Sequence, residues 1–420
     1  MLPEPTDRAR WAWRGALAFF VLAALTGAFF RFAVASGAAY GLDLGNVRHA
    51  HSHTMYFGWV TPALMALLAW WLPRLGAGRV RGVAAVIGAA FAAALLSYPP
   101  FLLWGYTRAP IGADGFPVSV IASGLNVFAW YAFVVVYARA RRYGPRGAES
   151  LPIRLFDLSL WFLVLATLGA WGLPAIQVLG IENPALMTAL THLFLDLFSE
   201  GWFVLGVLGL VAAEGSQRSA AARKRHDGTA ARWGVRLMAA GLPFTFALAM
   251  PPSLVPPLFA LLAHAGGALV ASGTLLVVAA LWPGARGVLW RFALAALAVK
   301  GLAEGAYSVL PGMAWAEHPA FRVLYLHVML LGFVSVGLVA AARTAWGRAA
   351  TPGRRAFVLA VAGLLVSLVP LTPLWPAAWG GRWTYVLAAL LALGPALAAL
   401  RMLVPRRVAR AEAPRPRQPA

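Results

Sequence analysis

Cysteine is absent from the 420 residues, lysine occurs only at Lys224 and Lys300, and acidic residues number 14 against 35 basic ones. Without cysteine the chain forms no disulfide, offers no thiolate to zinc or to an iron–sulfur cluster, and cannot attach a c-type haem covalently. Any haem it carries is held by other side chains. Charged residues make up only 12% of the chain, against 61% hydrophobic ones, and the mean hydropathy is +0.74. That balance excludes an ordinary soluble domain. A net charge of +21 would suggest nucleic acid in a soluble protein. In a chain this apolar it reads as loop charge, and nucleic acid is not an expected partner.

What the chain has instead is long apolar runs. With about 20 residues needed to cross a bilayer as a helix, about twelve spans are predicted, at 11–36, 49–73, 79–104, 117–141, 155–178, 184–213, 231–252, 256–282, 286–310, 318–343, 354–374 and 381–403. The expected fold is an all-α polytopic membrane protein in contact with membrane lipid. It forms a single transmembrane helical domain over 1–405, followed by a basic cytoplasmic tail over 406–420. Basic residues cluster in alternate connections: Arg74 to Arg81, Arg139 to Arg154, Arg218 to Arg236, Arg286 to Arg291, Arg343 to Arg355, and the tail from Arg401. The positive-inside rule then puts both termini in the cytoplasm, the chain in the inner (plasma) membrane, and the start of every even-numbered span at the outer face. The first span opens with charged residues as a signal peptide does, but it is long and lacks a small-residue cleavage site. It is expected to stay as a helix.

Histidine gives the first functional signal. The second span opens on His49, His51 and His53, and His53-Thr54-Met55-Tyr56-Phe57-Gly58-Trp59 shares with His327-Val328-Met329-Leu330-Leu331-Gly332-Phe333 the order His-x-Met-x-x-Gly-aromatic. Two histidines at equal depth on two helices suit a haem iron held between imidazoles. The repeat favours His53 as the partner of His327, while His51, two residues away and on nearly the opposite face, stays open. His49 has the alternative of joining His53 one turn on in a peripheral metal site. His53, His192, His264 and His327 all lie near the starts of even-numbered spans, and the second, sixth and tenth are spaced four apart. That spacing is the order expected of three four-helix arcs. His226 falls in a basic loop and reads as solvated.

The sixth span is the most polar. His192, Asp196 and Glu200 recur at steps of four, which keeps them on one stripe of an α-helix. Carboxylates within a lipid-embedded helix must face a metal, a partner or water. Asp196 or Glu200 can ligate a hard metal or pass protons while His192 supplies nitrogen; the alternative is a hydrogen-bonded cluster that pins helices together. His264, followed by Gly266 and Gly267, lets a helix or a flat macrocycle approach. Lys300 and Glu304, also four apart, read first as an ion pair and second as a proton path. Arg31 either meets a haem propionate or snorkels to the interface.

The His51-x-His53-x-Met55-x-x-Gly58-aromatic pattern, the twelve spans and the later histidines together resemble the haem-copper oxidase superfamily, most closely its nitric-oxide-related NnrS-type branch. The His192, Asp196, Glu200 stripe is similar to the His-x-x-x-Glu-x-x-x-Glu stripe of bacterial nitric oxide reductase catalytic subunits, with Asp in place of the first Glu. The resemblance implies a subunit I-like fold and haem b between His53 or His51 and His327. It also implies a metal at His192 and Asp196, with Glu200 and Asp196 as the catalytic carboxylates. The adjacent histidine pair usual at the end of helix seven is replaced by Met250-Pro251-Pro252, leaving His264 as the substitute ligand. The usual His-x-His of helix ten reads Tyr325-Leu326-His327. These departures argue against four-electron oxygen reduction.

The functional expectation is a haem b-binding membrane redox protein in nitric oxide reduction or detoxification. Copper or non-haem iron would fill a second site, a diatomic gas would be substrate, and a quinol or cytochrome would donate electrons. Two alternatives compete with it: a proton- or metal-coupled transporter, and a haem-binding sensor or accessory subunit without turnover.

Overall fold

The computed structural model describes residues 7–143, 150–218, 224, 228–310 and 318–404. The tail 406–420 and His226 lie outside the described residues. The described residues are helical apart from the connections between helices, and they pair as β-structure only in an isolated bridge between Ala109 and Phe116. Among the described residues, eleven segments are long and apolar enough to cross a membrane: α1 (Arg10–Ser36), α2 (Leu44–Leu75), α3 (Val83–Trp104), α4 (Val118–Arg142), α5 (Leu151–Val178), α6 (Pro184–Arg218), α8 (Pro257–Gly284), α9 (Val288–Val309), α10 (Pro319–Trp346), α11 (Arg354–Leu371) and α12 (Arg382–Leu403). The chain is a multi-pass helical membrane protein. Its outward faces carry the side chains lipid requires, among them Leu95 and Leu96 on α3, Trp161 on α5 and Leu390 and Leu397 on α12.

The predicted seventh span, 231–252, is shorter than expected. Its helix, α7 (Thr229–Thr245), has 17 residues, about 26 Å of rise against the ~30 Å of a hydrocarbon core. Pro243 lies in its last turn, a 3₁₀ turn follows over Phe246–Ala249, and Pro251 and Pro252 prevent any continuation.

At the centre stand α2 and α6, with 78% and 83% of their most apolar stretches buried, against 33% for α1, α4 and α11. The second halves of α2, α6 and α10 pack on one another in all three pairings. Each of the three changes from α- to π-helix at the same place in its sequence: Thr54–Val60 follows His53, Leu197–Val204 follows Asp196, and Val328–Ser335 follows His327. The sequence pattern joined only α2 and α10. The third copy is Asp196-Leu197-Phe198-Ser199-Glu200-Gly201-Trp202, hidden because Asp and Phe replace His and Met while the Gly and the aromatic keep their places.

The repeat has a packing logic. A Cβ on Gly58 would lie 2.3 Å from Phe19 of α1, and one on Gly201 would lie 2.4 Å from Cβ of Phe162 of α5. One on Gly332 would lie 3.0 Å from Cβ of Ala296 of α9. Each glycine thus lets the preceding helix lie against the π-turn. The aromatic after it reaches across the centre: Trp59 Nε1–H donates to Ser335 Oγ at 3.0 Å and Trp202 Nε1–H donates to Thr61 Oγ1 at 3.4 Å. Donor and acceptor hold the same relative positions in both bonds. The third pair in that register, Phe333 and Val204, is apolar and fully buried, so no polar group is stranded there.

Candidate functional site

The histidines sit where α2 and α10 begin, just before their π-segments. His51 Nδ1–H donates to the carbonyl of Ala23 on α1 at 2.7 Å, and His327 Nδ1–H donates to the carbonyl of Val323 one turn back at 2.7 Å. A carbonyl only accepts, so in both rings the proton is on Nδ1, and Nε2 keeps its lone pair with no hydrogen-bond partner among the described residues. Both side chains are half-buried, both lie within electrostatic range of Arg31, and His327 lies within range of His51. A Cβ on Gly27 would fall 2.7 Å from Cε1 of His51, so glycine there lets the ring approach α1 closely. Nδ1 anchored to a carbonyl, with Nε2 open, is the arrangement in which proteins orient imidazole for iron or another metal. Each of these two imidazoles is thus of a kind that could serve as an axial ligand to a haem.

His53 is placed differently. Its Nε2 meets Tyr106 Oη at 2.9 Å, its Nδ1 meets Ser123 Oγ at 3.3 Å, and its ring stacks on Phe101 with centroids 3.8 Å apart. Both nitrogens are engaged, and the ring faces α3 and α4. The repeat favoured His53, but a position shared between helices fixes depth and not the neighbour a ring meets. His49 packs edge-on against Tyr106, with its ring centroid 4.7 Å away.

Below the histidines lies a buried charge cluster. Lys300 Nζ of α9 bridges Glu200 of α6 and Glu304 of its own helix, the latter at 2.7 Å, and the side chains are 1%, 3% and 5% exposed. Tyr325 Oη–H donates to the other Glu200 oxygen at 3.0 Å. Asp196 accepts instead from Thr245 Oγ1 of α7. The expected single stripe therefore divides, Asp196 toward α7 and Glu200 toward α9 and α10. The physical reason is the π-segment that begins after Asp196: its turns close i to i+5, so a four-residue step no longer returns to the same face.

The remaining expected ligands are not gathered. His192 is half-buried, within electrostatic range of Arg322 on α10. His264 Nδ1–H donates to the Ser308 carbonyl at 3.1 Å beside Tyr307. Among the described residues no three His, Cys, Asp or Glu side chains converge as metal ligands, so His192, Asp196 and His264 do not form a set.

Three participants escaped the sequence reading. Thr245 carries no motif, and Ser123 and Tyr106 become relevant only once α3 and α4 pack on α2. Tyr325 was visible as the residue in place of a histidine, and its role is to hydrogen-bond Glu200. No protein-family model matches this sequence, and no curated protein matches it either.

Proposed function

We propose that this protein binds haem b between His51 and His327 and acts as a membrane redox protein with the three four-helix arcs of a haem-copper oxidase subunit I. The observation that carries the reading is that His51 and His327, each with Nδ1–H given to a backbone carbonyl, lie within electrostatic range of one another and of Arg31; His264 shares the carbonyl bond alone. The shared π-turns of α2, α6 and α10 support the arcs. The alternation of arginine-rich connections supports cytoplasmic termini and the inner membrane.

Haem supplies one-electron transfer when bound. The chain's own residues set its conditions. The carbonyls of Ala23 and Val323 fix the two rings and make them better donors. Arg31 offers a guanidinium to a propionate. The Lys300, Glu200, Glu304 and Tyr325 cluster holds exchangeable protons at Lys300 Nζ and Tyr325 Oη. Reduction or detoxification of nitric oxide is the activity this reading favours, on the likeness of the α2, α6 and α10 motifs; a second metal would need ligands beyond His192, Asp196 and His264 as they stand.

A second reading has its own observation. Three carboxyl groups and one ammonium inside a bundle also suit a proton-coupled transporter. A reduced-minus-oxidised spectrum of the detergent-purified protein, with pyridine haemochrome on the same sample, separates the two. Sharp low-spin haem b bands support the redox protein, and a colourless preparation overturns it in favour of the transporter.

A further inference from the structure

The opposite end of the bundle holds a feature the haem reading does not use. A cavity of about 600 Å³ opens where α6 and α10 end and α9 and α11 begin, and six arginines line it: Arg218, Arg286, Arg343, Arg348, Arg354 and Arg355. One carboxylate faces them. Glu214, buried, bonds to Arg218, to Trp290 Nε1–H at 2.9 Å and to Thr344 Oγ1–H at 2.6 Å. Its oxygens are committed, and through them it ties α6, α9 and α10 into the floor of the cavity.

The other five guanidinium groups pair with no acid among the described residues. Arg343 is within electrostatic range of both Arg348 and Arg354. Topology-setting arginines need only lie on one side of the membrane; they gain nothing by crowding into one concavity, where like charges repel. Two helix N-termini add to the field. Helix α9 starts after Gly287 and α11 after Gly353, both glycines at positive φ, and neither start carries a side-chain cap. Val288 and Leu289 of the first, and Arg354 and Arg355 of the second, are in the cavity wall, so first-turn N–H groups without helical partners lie beside the arginines.

We propose that this cavity binds a phosphate-bearing anion. Guanidinium forks match phosphate oxygens two at a time, and five of them with two helix starts suit more than one phosphate charge. Two sources share that chemistry: the headgroup of an anionic phospholipid, reached from the membrane edge, and a soluble phosphate compound.

The test uses the full chain in nanodiscs of phosphatidylcholine alone and of phosphatidylcholine with phosphatidylglycerol, following thermal unfolding by tryptophan fluorescence. Inorganic pyrophosphate is titrated, with chloride holding ionic strength fixed. A saturable upward shift of the midpoint in both discs identifies a soluble phosphate ligand. A shift caused by phosphatidylglycerol, with pyrophosphate adding nothing, identifies the lipid. In either case R348Q/R354Q loses the shift, R348K/R354K keeps part of it, and R79Q/R81Q, with the same charge removed elsewhere, keeps it all. The exposed single change R348Q serves if the double variant does not insert. No shift with either probe, or an unchanged shift in the glutamine variants, overturns the proposal.

Discussion

Trp59 and Ser335 join α2 to α10 through an indole-to-hydroxyl hydrogen bond of 3.0 Å, in a place where neither water nor lipid offers a substitute. Ser335→Ala leaves the indole N–H buried with no acceptor, at a cost of about 1 kcal/mol in a membrane setting. Thr61→Val does the same to Trp202, whose bond is longer at 3.4 Å. The expected order is a larger fall in thermal midpoint for S335A than for T61V, measured in detergent. Equal falls would show that the two bonds do not differ in strength as their lengths indicate.

The three π-turn glycines make a second ordered series. Gly201→Ala puts a methyl 2.4 Å from the Cβ of Phe162, the stem of a side chain on α5 that cannot swing aside. Gly58→Ala meets the ring of Phe19 at 2.3 Å, while Gly332→Ala meets Ala296 at 3.0 Å. Overpacking of this kind costs about 1–3 kcal/mol. G201A and G58A are expected to lower the yield of monodisperse protein on size exclusion, and G332A to lie closest to wild type.

Much of this architecture was legible in the sequence because length and hydropathy act locally. Eleven of the predicted spans needed nothing more, and the short α7 failed only where Pro243 and the Pro251-Pro252 pair cut a run that is apolar throughout. Gly58 and Gly332 also stood out, since a residue type repeated in register needs no partner to be seen. The π-turns did not. A wider hydrogen-bond loop has no residue signature, yet it decides that Asp196 and Glu200 part company. The choice between His51 and His53 was equally hidden, since it depends on the Ala23 carbonyl of one neighbour and on Phe101, Tyr106 and Ser123 of others.

Lys300 lies between Glu200 and Glu304 with almost no solvent contact. Lys300→Met removes the only ammonium of the cluster and leaves two carboxyl groups facing each other in a buried place. Breaking such a pair costs about 3–5 kcal/mol. The triple change K300M/E200Q/E304Q removes the charges together and is expected to recover most of that loss. Unfolding in sodium dodecyl sulfate, followed by circular dichroism, measures both. If K300M alone is as stable as wild type, the cluster is not the buried ionic lock described above.

The haem reading makes the sharpest demand on three neighbouring histidines. His51 and His327 each keep Nε2 free, whereas His53 spends both nitrogens on Tyr106 and Ser123. His51→Ala and His327→Ala are therefore each expected to abolish the low-spin haem b bands while the protein still inserts and elutes as wild type. His53→Ala should keep those bands and lower stability through the lost contacts with Phe101 and Tyr106. Gly27→Ala gives an independent check, because it crowds the His51 ring without removing a ligand; it is expected to shift or broaden the bands rather than erase them. The opposite pattern, with bands lost in H53A and kept in H51A, would move the ligand to the other face of α2. The free Nε2 of His51 would then have no part in binding haem.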